Sequence, residues 1–233
     1  DNTWIEILIL SNDWDEIDEN GKWILKQSRN NYLPNNITKL PPEIINLKNL
    51  KTLAFGGTKT RYFGAILGSC SETCSIESLP ENLTSLYLYC KNFIDYRFLH
   101  DISQLKTLYL SFSNTALPHL RNLENLSNLY IYGNEISDIQ VLKNLTSLQT
   151  LSLNETPIRD AKPLEYLVNL KWLDLSRTRI ENVDFLKSLE NLRYLDLSNT
   201  GIYDEYKAFI YLENLIELKI DEAVVYDLSA LKS

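Results

Sequence analysis

Leu148-Gln-Thr-Leu151-Ser-Leu153, Leu170-Lys-Trp-Leu173-Asp-Leu175 and Leu192-Arg-Tyr-Leu195-Asp-Leu197 stand 22 residues apart and read alike. The same L-x-x-L-x-L/I pattern opens at Leu83, Leu105, Leu126 and Leu215, so the seven starts step by 22, 21, 22, 22, 22 and 23. Such a period marks a chain built from stacked copies of one small unit. Two more copies precede them at Ile5 and Leu50, with longer spacings of 45 and 33 that hold insertions.

Within the pattern the last two leucines are two residues apart, which places them on one side of a short strand and the residues between and after them on the other. One unit cannot bury its own leucines, but a stack of units buries them all. Parallel strands need a return segment between them, and stretches such as Val141-Leu-Lys-Asn144 supply it. Before each return stands Asp138, Asp160, Asn182 or Asp204, which reads as a cap for backbone N–H groups. Asn134, Thr156, Thr178 and Thr200 form a second column that reads as a partner for loop backbone groups. Both columns recur once per unit and serve the unit, so neither reads as catalytic.

These segments resemble the leucine-rich-repeat superfamily, in particular its 22-residue class found in bacterial internalins and related proteins. Ile37-Thr-Lys-Leu-Pro-Pro-Glu-Ile44 and Ser78-Leu-Pro-Glu-Asn-Leu-Thr-Ser-Leu86 are similar to the Leu-Pro-bearing repeats of bacterial effectors. The resemblance implies an α/β fold: a right-handed solenoid of about nine repeats over residues 1–233, with a parallel sheet on the concave face and short helical, 3-10 or irregular returns on the convex face. It also implies that the concave sheet binds a partner. The chain departs from internalins in lacking their N-terminal helical cap, and from ligase effectors in lacking a catalytic domain.

Two insertions interrupt the period. Residues 13–36 contain Asn20-Gly21 between alternating residues, a hairpin signal, and predict an N-terminal β-hairpin carrying Trp14 and Trp23 over the end of the stack. Residues 59–76 follow a glycine pair, and four of the seven glycines lie between Gly56 and Gly68. They read as a Gly-rich loop, either mobile or binding. Asp1 at the start, the lack of methionine and an end partway through a return read as a piece of a longer product.

Composition narrows the function. The net charge of −8 opposes nucleic acid, whose phosphates require clustered Lys and Arg. No apolar run is long enough for a membrane-spanning helix. Cys70, Cys74 and Cys90 are odd in number and too few for a disulfide framework. Cys70 and Cys74 could close a small loop, but three free thiols in a reducing cytoplasm is the reading adopted, so cytoplasm is placed ahead of secretion with the compartment left open. His100 and His119 fall in return segments and read as surface residues. No nucleophile–base pair, metal cluster or cofactor motif stands out, so the expectation is no enzyme and no cofactor.

What remains is the solvent side of the strands. Its central column reads Tyr87, Tyr109, Tyr130, Ser152, Asp174, Asp196, Lys219; the following outward positions add Tyr89, Phe112 and Tyr132, and the preceding ones Trp172 and Tyr194. Aromatic residues gathered on a face that should be solvated mark an interaction surface. The expected function is therefore a non-catalytic module, monomeric, binding a partner protein through those aromatics with Asp174 and Asp196 beside them. Glu155, Arg177 and Asp221 would orient a basic partner. The alternative is recognition of a carbohydrate or small ligand on the same rings.

Overall fold

The structure is a computed structural model that describes residues 5–10, 16–17, 23–24, 39–55, 73–90, 92–111, 116–133, 136–202 and 206–222. Its strands in chain order are β1 (Ile7–Leu10), β2 (Glu16–Ile17), β3 (Trp23–Ile24), β4 (Thr52–Phe55), β5 (Thr73–Cys74), β6 (Ser85–Leu88), β7 (Asn92–Phe93), β8 (Thr107–Ser111), β9 (Asn128–Tyr132), β10 (Thr150–Ser152), β11 (Trp172–Asp174), β12 (Tyr194–Asp196) and β13 (Glu217–Lys219). Nine of them form one open sheet in the order β1-β4-β6-β8-β9-β10-β11-β12-β13. All its pairings are parallel, and register keeps equivalent positions adjacent: Leu129, Leu151, Leu173 and Leu195 are successive partners. This is the open parallel sheet of a leucine-rich-repeat solenoid.

The leucines account for it. Leu148, Leu151 and Leu153 of one coil are 0% exposed, as are Leu170, Leu173 and Leu175 of the next. Burying one leucine side chain contributes about 1.5–3 kcal/mol, and each coil repeats the same set.

Among the described residues seven short 3-10 turns make the returns, including Gln140–Asn144, Lys162–Tyr166 and Asp184–Ser188. Three of these entries are capped by the residues expected for it, each standing two positions before the N–H it accepts from. Asp138 Oδ1 accepts from the Gln140 N–H, Asp160 Oδ1 from Lys162 and Asn182 Oδ1 from Asp184, at 2.9, 2.9 and 2.7 Å. Asp95 does the same for Arg97 at 2.8 Å. In the second column Thr156, Thr178 and Thr200 donate their hydroxyls to the carbonyls of Leu153, Leu175 and Leu197. Asn134 and Asp204 lie outside the described residues.

A third column supplies cross-links between coils. The side-chain amides of Asn125, Asn169, Asn191 and Asn214 each donate to a backbone carbonyl of the preceding coil at 2.9–3.0 Å. These bonds lie at the exposed turns and tie each coil to the one before it.

The insertions are partly described. β2 and β3 pair antiparallel, Glu16 with Ile24 and Ile17 with Trp23, which is the ladder of the expected N-terminal hairpin; Trp14 and the Asn20-Gly21 turn lie outside the described residues. The loop expected over 59–76 requires correction at its end. Thr73–Cys74 is a strand, parallel to β7, and Ser75 bridges to Lys39. The cysteine reading is corrected with it: Cys74 is bonded to Cys90. The three residues are thus neither all free thiols nor joined between Cys70 and Cys74. The parallel pairing of β5 with β7, unseen in the linear spacing, brings residue 74 near residue 90, and both cysteines are 1% exposed.

Candidate functional site

The solvent side of the sheet is where the coils stop being copies of one another. Register carries Tyr87 onto Tyr109 and Tyr109 onto Tyr130, then Tyr130 onto Ser152, Asp174, Asp196 and Lys219. Neighbouring strands are about 4.8 Å apart, so side chains in one column must touch. Tyr87 and Tyr109 stack with ring centroids 6.5 Å apart and planes at 28°, and Tyr109 and Tyr130 at 6.4 Å and 29°.

At β10 the column changes from ring to hydroxyl. Tyr130 on β9 nevertheless meets Trp172 on β11, centroids 6.4 Å apart. Two strand spacings would separate them by about 9.6 Å, so the rings lean together above Thr150 and Ser152. That roof leaves Ser152 only 6% exposed. Beyond it Trp172 and Tyr194, partners in register, stack with nearly parallel planes, centroids 4.9 Å apart at 6°. Lys219 Nζ sits 5.2 Å from the Tyr194 ring centroid. Five rings and a cation therefore run across the face from β6 to β13.

The carboxylates lie in the same surface. Asp174 and Asp196 are register partners. Asp174 Oδ1 accepts from the N–H and hydroxyl of Ser176 at 2.9 and 2.6 Å; Asp196 Oδ1 accepts from the Ser198 N–H, and its Oδ2 from the Tyr194 hydroxyl. Burial, opposed by those hydrogen bonds and reinforced by the Asp196 charge, holds the Asp174 carboxyl above its ordinary range. Glu155 is shared between Arg177, at 3.4 Å, and the Tyr132 hydroxyl. Burial and that contact push the Tyr132 phenol up to about 12. Burial also raises Tyr87, Tyr130 and Tyr194. The face thus offers neutral hydroxyls and rings together with negative charge.

Of the residues singled out in the sequence, Tyr87, Tyr109, Tyr130, Tyr132, Trp172, Asp174, Tyr194 and Asp196 all fall on this one face and are half-buried. Tyr89 requires correction. It is 1% exposed, with its ring against that of Tyr109 at 5.2 Å and its N–H bonded to the Phe55 carbonyl. A ring tucked below its neighbour is packing, and alternation along a strand cannot reveal that. Phe112 lies outside the described residues.

Two features were missed. Glu155, Arg177, Asn199 and Glu222 occupy one slot in four successive coils, all with φ between 56° and 58°; left-handed backbone at charged residues has no sequence signal as plain as a glycine. On the return side, His119 Nδ1 and His100 Nε2 are 3.0 Å apart. Burial first, and then the neighbouring His100, hold His119 below the ordinary histidine range. Their 19-residue separation is nearly one coil, which in hindsight was the available clue.

The repeat sequence and the fold agree on a class. Residues 124–166 and 168–207 match the family model described as leucine-rich repeats (2 copies). Over that stretch the chain carries leucine-rich repeats, and its fold resembles that of the internalins. Its fold is similar to an internalin (inlF) of Listeria monocytogenes, with a TM-score of 0.65 and 21% identity, covering 81% of this chain and 53% of that one. A second Listeria monocytogenes internalin (inlC2) gives 0.62 and 25% identity over 67% of this chain and 72% of that one. The ectodomain of the Arabidopsis thaliana receptor kinase GASSHO1/SCHENGEN3, in complex with Casparian strip integrity factor 2, gives 0.54 and 18% identity over 79% and 25%. The chain spans about half the length of the inlF structure. No curated protein gives a significant match. Leucine-rich-repeat domains are in general protein-interaction modules without enzymatic activity.

Proposed function

We propose that the chain binds a partner protein on the aromatic and acidic face of its sheet, without catalysis of its own. The carrying observation is the unbroken contact of Tyr87, Tyr109, Tyr130, Trp172 and Tyr194, centroids 4.9–6.5 Å apart. Tyrosine and tryptophan are the usual anchors of protein interfaces, because they bury much surface while little side-chain freedom is lost. Cross-strand ring pairs also stabilise a sheet by about 0.2–1 kcal/mol each. Stabilisation alone would favour the same rings in every coil, whereas here β6, β8 and β9 carry tyrosines in the central column, β10 a serine, and β11 and β12 a carboxylate beside each ring. A partner with apolar anchors and basic flanks fits that arrangement, and the Arabidopsis ectodomain of similar fold is itself in complex with Casparian strip integrity factor 2.

Cross-linking or pull-down with the intact chain tests this. The partner captured by the native chain should be lost by the Tyr109→Ala plus Tyr130→Ala variant, with the circular dichroism of the fold retained. Undiminished capture would remove the site. Carbohydrate recognition, which also uses rings and carboxylates, would instead show as specific retention on a glycan array.

A further inference from the structure

We propose that Trp172, Tyr194, Asp174 and Asp196 form a receiving site for an arginine side chain of the partner protein, and that Lys219 occupies its outer wall in the unbound chain. The inference rests on the protein-binding reading above and specifies its chemistry at one end of the face.

The geometry has three parts. Trp172 stacks on Tyr194 from the β11 side; Lys219, on β13, approaches the same ring from the other side, its ammonium 5.2 Å from the centroid. That distance lies within the roughly 6 Å over which a ring quadrupole attracts a cation. The ring face already holds a positive charge supplied by the chain itself.

Next to it two carboxylates stand opposite one another in register. Like charges directly opposite across a parallel or antiparallel pair oppose folding, and the raised proton affinity of Asp174 reflects burial together with that neighbour. Among the described residues no ion pair engages either aspartate. Lys219 is the register partner of Asp196, yet its ammonium pairs with Glu217 at 3.4 Å. The surface therefore has negative charge that its own cation leaves uncompensated.

Arginine fits this better than lysine. A guanidinium is flat, stacks on an aromatic face, and donates a fork of N–H groups to carboxylate oxygens in its own plane. Placed over Tyr194 it would displace the Lys219 ammonium and reach Asp196. A net charge of −8 draws such a basic segment toward the chain,. The occupant is thus an arginine from a basic protein segment.

Capped Gly-Arg-Gly, Gly-Lys-Gly and Gly-Glu-Gly peptides titrated against the intact chain, followed at the Trp172 indole N–H by NMR, test the proposal. The arginine peptide should bind with a millimolar constant and more tightly than lysine, and the glutamate peptide should leave the signal unmoved. Asp174→Asn with Asp196→Asn, isosteric changes, should weaken arginine binding by about tenfold, as expected for loss of charge-assisted hydrogen bonds. Lys219→Ala should tighten it by about three- to fivefold, the worth of an exposed cation–ring contact removed from competition. No shift at Trp172, equal response to arginine and lysine, indifference to the aspartate changes, or weaker binding in Lys219→Ala would each overturn the site. If the peptide fails while Tyr109→Ala plus Tyr130→Ala still releases the partner, the arginine site is wrong and the docking face stands.

Discussion

On strands β9 to β12 the two sides of one backbone follow different rules. Toward the interior every coil presents the same leucines, Leu129, Leu151, Leu173 and Leu195, all 0% exposed. Toward solvent the neighbouring positions read Tyr130, Ser152, Asp174 and Asp196. The interior side is fixed because each leucine must fill the space its copy fills one coil away, at close-packed density. The solvent side carries no such constraint, so its variation is where a particular function can be written. Repetition marks what the fold requires and departure from it marks what the fold is used for.

The sharpest way to break that contrast is to cut one residue from each side of adjacent strands. Leu151→Ala empties a fully buried position and should destabilise by about 3 kcal/mol, within the range for buried leucines. Tyr130→Ala removes ring contacts on the open side and should cost no more than about 1.5 kcal/mol. Thermal or urea unfolding of the two variants reads the difference. Equal losses would mean that the tyrosine column is part of the core and not a surface held ready for a partner.

An intermediate effect belongs to the threonine column. Thr178 is 4% exposed, and its hydroxyl satisfies the Leu175 carbonyl at 2.6 Å. Thr178→Val keeps the shape and strands the acceptor, at a cost of about 1–2 kcal/mol in urea unfolding. Loss of stability here, at a side chain far from the rings, would confirm that regularly repeated polar residues also serve the fold. An unchanged midpoint would show that the carbonyl finds another donor.

A smaller effect of opposite sign is expected at Asp174. Its carboxyl is raised by burial and by Asp196, so as pH falls the folded chain takes up this proton before the unfolded chain does. The carboxylate therefore subtracts stability above the folded pKa, and its cost disappears as pH drops through that value toward the ordinary aspartate range. Asp174→Asn keeps an acceptor for Ser176 and removes the charge. Its melting temperature at neutral pH should rise by about 1–3 °C, on a scale of roughly 2–4 °C per kcal/mol for a chain this size, and the gain should vanish in acid. The same variant should bind a basic partner less well. A charge that weakens the fold and strengthens binding is what a functional residue should show.

How much of this could be read beforehand follows the same division. The period exposed the strands, the leucine interior, the parallel order and the capping slots, because one copy's pattern was checked by six others. The solvent column was legible too, and Tyr87, Tyr109 and Tyr130 do adjoin. What escaped depends on contacts that close across a coil. Tyr89 is outward by alternation yet covered by Tyr109; Cys74 meets Cys90 through the β5–β7 ladder; Tyr130 reaches Trp172 over a strand whose small side chains leave room. None of these is a property of a single unit, and each needed the stack in three dimensions.

The faintest contrast lies at the boundary between the two sides, where strand gives way to turn. Glu155, Arg177 and Asn199 hold φ of 57°, 56° and 57°, and their N–H groups bond to Ser176, Ser198 and Asp221 of the next coil. The backbone there is as regular as the leucines, while the side chains differ as freely as the solvent face. A left-handed backbone brings Cβ against the following carbonyl and costs an L-residue about 1–2 kcal/mol, and asparagine less. Glycine removes that strain but gives the unfolded chain more freedom, about 0.4–1 kcal/mol in the other direction. Arg177→Gly should therefore stabilise by roughly 0.5 kcal/mol, since the exposed pair with Glu155 adds little. Asn199→Gly should change the melting temperature hardly at all. A clear loss in Arg177→Gly would mean that its contact with Glu155, and through it Tyr132, organises the edge of the binding face, moving that slot from the side of the fold to the side of function.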